Sequence, residues 1–545
     1  MMSAPGTRSW GGRGLALSAG LIAALCLLPH AGVLLAALGG SGETVARLAR
    51  TVLPGYAATT LILTLLVGAG TLVIGTATAW LAVATEFPGR RWLEPALVLP
   101  LAFPAYVLAY AYTDLLDHPG IVQSTLRDVM GWGPRDYWFP EIRSTGGAAA
   151  MLCLVLYPYV YLLARSAFIL QGQAPFQVAR SLGKGSLGAF LSVALPMARP
   201  AVAAGVLLVA METIADYGTV AFFGVQTFAT GIYTSWFTLA DRAAAAQLAL
   251  GLLAFALILA ALERGTRGRA RYAAEARPPG RIPLRGVRAW SATAACALPV
   301  LLGAIVPAVA LALMAPSSEQ DLTSRRYVAF VTNTVTLATI ASLVTVGAAV
   351  LLGSFARSAP GAASRLSLHV ARLGYAVPGG VIAVGLLVPF AAFDNALDAF
   401  MEARFGIDTG LLVTGSIWLL VAAYAIRFLA AAIGAYEGGL STVTSSMDAA
   451  SRVLGRSVWG TVRSVHVPIL SPSLATAALI VFVDVAKELP ATLIMRPFNF
   501  DTLAVQAHRL ASDERLSGAA VPSLVIAAVG LIPVLILCRQ VARGR

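Results

Sequence analysis

The sequence predicts an all-α integral membrane protein with about twelve transmembrane helices in two tandem six-helix repeats. Three observations carry that expectation. The chain is 58% hydrophobic and only 12% charged, against about 25% charged in a typical soluble domain. Residues 51–85 contain no charged side chain, and roughly 20 such apolar residues cross a bilayer as a helix. Two stretches about half a chain apart also match in register. Long apolar runs, rather than short alternating ones, select helices.

Apolar runs place six spans in the first half, near 14–38, 55–84, 93–115, 147–170, 197–217 and 243–262. Six more lie near 290–314, 330–354, 368–391, 411–434, 472–490 and 518–538. Residues 1–12 carry Arg8 ahead of the first run. A cleaved signal peptide and an uncleaved signal anchor are both open there, and the apolar length fits the anchor better. The domains are then a first repeat, 1–262, a linker, 263–289, and a second repeat, 290–545.

The net charge of +13 admits nucleic-acid binding or membrane topology. Topology is favoured because the basic residues cluster between apolar runs. Arg8 and Arg13 precede the first span, Arg90 and Arg91 (with Glu86) follow the second, and Arg180, Lys184 and Arg199 separate the fourth from the fifth. The linker holds eight arginines and two glutamates and is rich in Gly and Pro. Arg357, Arg365 and Arg372, then Arg452, Arg456 and Arg463, then Arg539, Arg543 and Arg545 continue the alternation. The loops 116–146 and 391–410 carry acids that balance or exceed their bases. The positive-inside rule therefore expects both termini in the cytoplasm, with no nucleic-acid partner. Cys26, Cys153, Cys296 and Cys538 lie in or at the end of apolar runs, at no metal-ligand spacing, and read as small core residues without disulfides.

FQVARSLGKGSLGAFLSVALPMARP (176–200) aligns with DAASRVLGRSVWGTVRSVHVPILSP (448–472) at an offset of 272. Arg180 then meets Arg452, Leu182 meets Leu454, Gly183 meets Gly455, Pro196 meets Pro468 and Pro200 meets Pro472. LPLAFPAYVLA (99–109) also aligns with LGYAVPGGVIA (373–383), Pro104 on Pro378. Tandem repeats with an even number of spans share one orientation, so a pseudo-two-fold along the membrane normal is expected, with a pathway between the halves. Each repeated segment reads as a short helix, a turn at a glycine, a second helical stretch and a span begun by proline. An ordinary interfacial loop is the plain alternative for one copy; two copies in register weaken it.

These segments resemble the EAA loop of permease subunits from ABC importers. The first copy reads Gln177-Val178-Ala179 before Gly183 and ends at Leu195-Pro196. The second reads Ala449-Ala450-Ser451 before Gly455 and ends at Val467-Pro468. Both lack the family's first glutamate, although Asp448 sits one residue early. The resemblance implies a type I, MetI-like permease fold. It also implies coupling helices that receive the motion of two copies of an ABC ATPase subunit, through Gln177, Ala179, Gly183, Leu195, Pro196, Asp448, Ala449, Gly455 and Pro468. KELPATLIMRPFNFDTLAVQAHRLASDERL (487–516) and ADYGTVAFFGVQTFATGIYTSWF (215–237) are similar to phrases of the fused two-repeat permeases of ferric-iron importers. Related fused permeases move thiamine, phosphonates or polyamines. The implied partners are a periplasmic or lipid-anchored binding protein and the lipid bilayer, and the implied location is a bacterial inner membrane. SLGKGSLG (181–188) lacks the phosphate-loop spacing G-x-x-x-x-G-K-[ST]. The chain is therefore expected to bind no cofactor and to be no enzyme, with ATP and Mg on the partner ATPase.

At the 272 offset Glu212 falls on Asp484 and Asp216 on Glu488, each pair four residues apart on one helix face. Glu212 lies about 18 Å along the helix from Pro200, in the outer half of a hydrocarbon core about 30 Å thick. Intramembrane acids default to a functional reading. These four either touch a hard cation such as Fe(III), with Tyr106, Tyr110, Tyr112 and Tyr217 as further oxygens, or act as a gate or cap or bridge helices, with Lys487 and Arg496 as partners. For the tyrosines an interfacial aromatic belt is the commoner explanation. His118, His466 and His508 form no metal-ligand spacing, and His508 is expected on an outer loop with Asp513 and Glu514, facing a binding protein or solvent. A twelve-span secondary transporter using the same acids is the competing class; it has no need of the repeated cytoplasmic segments. A membrane enzyme ranks third, because no nucleophile–base cluster appears.

Overall fold

A computed structural model describes residues 10–39, 42–172, 174–267, 281–318, 320–440 and 442–543. Arg8, Arg545 and residues 268–280 of the linker lie outside the described residues. Among the described residues eleven helices are long and apolar enough to cross a membrane, and a bent pair, Arg90–Ala102 with Ala105–Met130, makes twelve. Every expected span has a counterpart. The Cys residues form no disulfide; Cys26 and Cys296 are buried.

Proline sets where the third spans begin. Proline forces the residue before it into extended backbone, and Phe103 (φ −98°, ψ 130°) and Val377 (φ −86°, ψ 120°) adopt it. Pro104 and Pro378 then sit at the N-caps of Ala105–Leu116 and Gly379–Phe405. This break bends the first-repeat pair by 94°. It also moves the ninth span from the expected 368–391 to Gly379–Phe405. Asp394 and Asp398, expected in a loop, are therefore helical. Their carboxylates accept from Val413 and Thr414 N–H and from Thr409 and Gly410 N–H, tying the following loop back to the helix.

The fifth spans do not start afresh at proline. Ser186–Ala215 and Val458–Ala486 are each continuous. Five-residue π-helical turns at Phe190–Ala194 and Val462–His466 lead into Leu195–Ala215 and Val467–Ala486. Pro196 and Pro468 cannot donate to the preceding turn, and their rings crowd its carbonyl. A wider turn accommodates both defects without breaking the helix. That the same device recurs 272 residues later is backbone evidence for the repeat.

The chain folds into two compact units that interleave the sequence. The first contains Trp10–Leu38, residues 235–253 and residues 324–502; the second contains residues 46–234, Val287–Val300 and Leu516–Arg543. Each thus joins spans two to five of one repeat to the first span of the other. In the first unit Trp10–Leu38 crosses Gly379–Phe405 backbone to backbone at Gly32 and Gly385. A Cβ on Gly32 would fall 1.8 Å from the Gly385 carbonyl oxygen. Without a hydrophobic drive between helices in lipid, such small-residue contacts supply the packing.

In the second unit a buried ion network fixes the start of the third span. Glu94 accepts from Arg90 at 2.8 Å and from Arg165 at 2.7 Å. Arg90 also donates to Ala82 O, and Arg165 to Val541 O on the last helix. Arg90 is 2% exposed, so this basic residue, counted from sequence among the loop charges, is an internal tie. Buried pairs hold only when every partner is supplied, and here backbone carbonyls complete the set.

Gly32→Ala is expected to lower the thermal melting temperature of the purified protein clearly. Gly20→Ala on the same helix, where a Cβ meets nothing within 4 Å, should be neutral or gain up to about 1 kcal/mol. Equal behaviour of the two variants would contradict the helix crossing.

Candidate functional site

The two repeated segments fold alike. Helices Ala174–Ser181 and Ser445–Val453 each end at a left-handed glycine, Gly183 (φ 86°) and Gly455 (φ 76°). Lys184 N–H donates to Ala179 O at 3.2 Å and Gly183 N–H to Arg180 O at 3.0 Å; Arg456 to Ser451 and Gly455 to Arg452 repeat the pattern at 3.1 and 3.0 Å. This is a Schellman stop, which needs a residue tolerant of positive φ. Gly185 and Ser457 then begin the next helices in extended conformation. The expected helix–turn–helix is therefore present twice, in matching geometry.

Each turn presents apolar side chains outward. Leu182 is 78% and Leu454 77% exposed, and Leu187, Val453 and Trp459 are also exposed. Among the residues singled out from sequence, Gln177 and Ala449 sit on the first helix of their segments, while Ala179 is buried beneath it. Leu195, Pro196 and Pro468 lie at the π-turn junctions. The exposed apolar pair was visible in the alignment, but exposure on a loop cannot be read from a hydrophobic letter.

The chemistry beneath the two segments differs. Under the first, Trp80 packs on Phe168, Phe176 and Phe190 with ring centroids 5.0–5.2 Å apart. Such pairs contribute about 0.5–1.5 kcal/mol each beyond burial. Ile282 joins this cluster, and the two-residue strand Ile282–Pro283 pairs with Thr85–Glu86, anchoring the linker's end. Under the second, Phe176 is replaced by Asp448, Ala194 by His466 and Thr85 by Arg357 at the 272 offset. Asp448 accepts from Arg357 Nε at 2.7 Å and faces His466 Nε2 at 2.7 Å. The acid one place early in the motif thus points inward and holds its own loop.

The acidic pairs divide by role. Asp216 ends Leu195–Ala215 and accepts from Thr219 N–H, Thr219 Oγ1 and Val220 N–H at 3.0–3.1 Å. It caps the short helix Gly218–Phe222. Glu488 accepts from Ala491 and Thr492 N–H at 2.9 and 3.2 Å, the same i+3 and i+4 donors, and caps Pro490–Met495. Tyr424 and Arg427 complete its shell. Glu212 and Asp484, one turn earlier, are half-buried. Asp484 pairs with Lys487 at 2.9 Å, as expected of that lysine; Arg496 pairs instead with Asp501. Among the described residues no group of three or more His, Cys, Asp or Glu side chains could hold a metal ion.

Near Asp216 the second unit gathers aromatics. Tyr217 stacks on Tyr233 at 3.7 Å and meets the edge of His508, whose Nδ1 lies 3.1 Å from the Tyr110 hydroxyl. His508 is therefore packed against Tyr110 and Tyr217, not turned to solvent as its loop position suggested. Tyr106, Tyr110 and Tyr112 are buried rather than arrayed as an interfacial belt, and Tyr112 donates to Leu302 O. Glu514 forms a bidentate pair with Arg143, 2.7 Å at each contact. This joins the loop after Leu503–Ser512 to the loop 116–146.

Comparison with known proteins settles what this geometry belongs to. The family model described as "Binding-protein-dependent transport system inner membrane component" matches twice, over residues 71–268 and 346–544. The chain belongs to that family. It is a fused, two-repeat permease subunit of an ABC importer, a multi-pass inner-membrane protein and a transport component rather than an enzyme. It is 24% identical to the Fe(3+)-transport system permease protein FbpB 2 of Haemophilus influenzae, over 88% of each chain. It is 25% identical to a probable ABC transporter permease protein, y4fN, of Sinorhizobium fredii, over 77% of this chain and 75% of that one. The molybdenum transport system permease protein ModB of Escherichia coli is 27% identical over 33% of this permease and 78% of its own length.

Asp448 gives a pH signature to the second segment. Burial pushes its carboxyl up, but the hydrogen bonds and charges of His466 and Arg357 outweigh this and hold it below the ordinary value of 3.8. A depressed folded-state value gives stability above the unfolded value that is lost as pH falls through the folded one. Asp448→Asn is expected to cost about 1–3 kcal/mol at pH 6, read by thermal melting. The gap to wild type should close as the pH falls below about 3.8. A gap unchanged by acidification would contradict the inward ion pair.

Proposed function

We propose that this permease translocates Fe(III) handed over by a periplasmic or lipid-anchored binding protein, driven by two copies of a separate ABC ATPase. The observation that carries the substrate is the similarity to the Haemophilus influenzae Fe(3+)-transport permease along 88% of both chains. Both termini lie in the cytoplasm on this reading, as the clustering of basic residues supports. The ATPases engage the segments 176–200 and 448–472, where Leu182 and Leu454 offer matched apolar anchors beside Gly183 and Gly455. Motion of those helices passes through the π-turns into the continuous fifth spans. At the far ends of those spans Asp216 and Glu488 are committed to capping. On this reading Glu212 and Asp484, half-buried one turn earlier, line the pathway, where carboxylate oxygens suit a hard cation. The chain itself binds no nucleotide and takes no part in hydrolysis.

The permease, reconstituted in vesicles with its partner ATPase and binding protein, is expected to accumulate radioactive Fe(III) only when ATP is supplied. Accumulation of thiamine, a phosphonate or a polyamine with no iron uptake would overturn the substrate. Glu212→Gln combined with Asp484→Asn should lower iron uptake at least about tenfold, the scale of 1.4 kcal/mol, while the loaded binding protein still stimulates ATPase activity. ATPase activity that no longer depends on the binding protein would instead make these two acids the gate.

A further inference from the structure

Two helices meet at one corner of the second unit, at the end of the spans where the first repeated segment and the strand Ile282–Pro283 lie. Val287–Val300 packs against Arg90–Ala96, and Thr293 Oγ1 donates to Pro88 O at 2.8 Å. Arg90 and Glu94, one turn apart, are buried. Trp92, two residues from each, therefore lies on the opposite face of its helix and is 82% exposed. Trp290, a turn before Thr293, is 66% exposed.

The span Val287–Ser317 shows what covers these indoles. Leu298, Leu301, Ile305, Val309 and Leu313 are exposed along it at spacings of three or four residues. On the other side Gly303 closely approaches Leu154 O and Pro100 of the same unit. An exposed apolar stripe on a membrane span is its lipid face. Trp290 prolongs this stripe two turns before Leu298. It lies about 35 Å along the axis from Leu313, just past a hydrocarbon core about 30 Å thick. That level is the headgroup boundary, where amphipathic indoles settle. Charge completes the corner. Residues 85–95 and 281–293 hold five arginines and two glutamates. Glu86 pairs with Arg90 and, at 4.0 Å, with Arg281, while Glu94 pairs with Arg90 and Arg165. Arg91, Arg285 and Arg288 are exposed within a few residues of the two indoles.

We propose that this corner binds an anionic phospholipid, with Arg91 and Arg288 on its phosphate and Trp92 and Trp290 flanking the start of its acyl chains. Basic side chains at a bilayer surface attract anionic lipid, and the guanidinium fork matches phosphate oxygens. A lipid rather than a free anion is the occupant, because the charged corner is continuous with the lipid-facing stripe. The second repeat keeps part of the feature. At the offset of 274 that pairs Pro104 with Pro378, Arg91 falls on Arg365 and Trp92 on Leu366, both exposed on Ala362–Leu373. The inference rests on neither the substrate nor the coupling role proposed above.

The full-length permease is placed in phosphatidylcholine nanodiscs that contain a small, fixed fraction of acyl-brominated phosphatidylglycerol or acyl-brominated phosphatidylcholine. The signal of the two indoles is the fluorescence of wild type less that of the Trp92→Phe, Trp290→Phe double variant. Brominated phosphatidylglycerol is expected to quench this signal at least about twofold more efficiently than brominated phosphatidylcholine. Arg91→Gln combined with Arg288→Gln should abolish that preference and leave quenching by brominated phosphatidylcholine unchanged. Arg456→Gln combined with Arg463→Gln removes the same charge from exposed sites on the second repeated segment and should preserve the preference. All six substituted side chains are exposed, so the variants leave the core intact. Equal quenching by the two lipids in wild type, or a preference that survives in the Arg91→Gln, Arg288→Gln variant, overturns the proposal. Quenching by neither lipid also overturns it, and a fluorescence change on adding the partner ATPase would then give the surface to that subunit.

Discussion

A helix that begins inside a membrane leaves backbone N–H groups that neither water nor lipid can satisfy. In this permease the fifth span of each repeat stops, and the next short helix begins at once. Asp216 and Glu488 supply the acceptors that allow it, through the same i+3 and i+4 donors. The position of the aromatic group at Tyr217, Tyr233 and His508 follows from the first cap, and that of Tyr424 and Arg427 from the second. Carboxylates are worth more here than neutral caps, because charge-assisted bonds to backbone N–H are roughly twice as strong as neutral ones. Their cost of burial is offset by the number of donors each one meets.

The other ends of the same spans carry the opposite design. There the helix is kept continuous through a proline by a π-turn. The two segments share a backbone but not a support. One rests on interlocking aromatic rings and on the linker's strand, the other on an ion pair with an imidazole. Aromatic packing is insensitive to salt and pH, whereas ionic contacts are not. The two repeats of one chain therefore respond differently to their surroundings, which two copies of a single repeat would not do.

Much of this was legible in the sequence. Apolar runs located the spans, Gly183 and Gly455 located the turns, and a single offset paired Asp216 with Glu488. What escaped has identifiable causes. Pro104 and Pro378 were visible as a matched pair, yet a continuous apolar run hid the break they impose, and the span near 368–391 shifted. Arg90 looked like a loop charge because burial depends on Glu94 and Arg165, the latter 75 residues away in the chain. Asp448 looked like an outward contact, since only the fold brings Arg357 to it. The exchange of first spans between units rests on glycine contacts such as Gly32 with Gly385, which have no periodic signature. His508 was misplaced because a polar loop and a buried return helix share the same composition.

On the proposed function, the two turns at Gly183 and Gly455 are where ATPase subunits engage this permease. Cysteines introduced singly by Leu182→Cys and Leu454→Cys, both at exposed sites, can be cross-linked in membranes that also contain the partner ATPase. Each variant is expected to form a disulfide-linked adduct with an ATPase copy that carries a cysteine at its docking cleft, with yield that changes when ATP is added. Adducts at neither turn, under conditions where the complex still transports, would contradict the account.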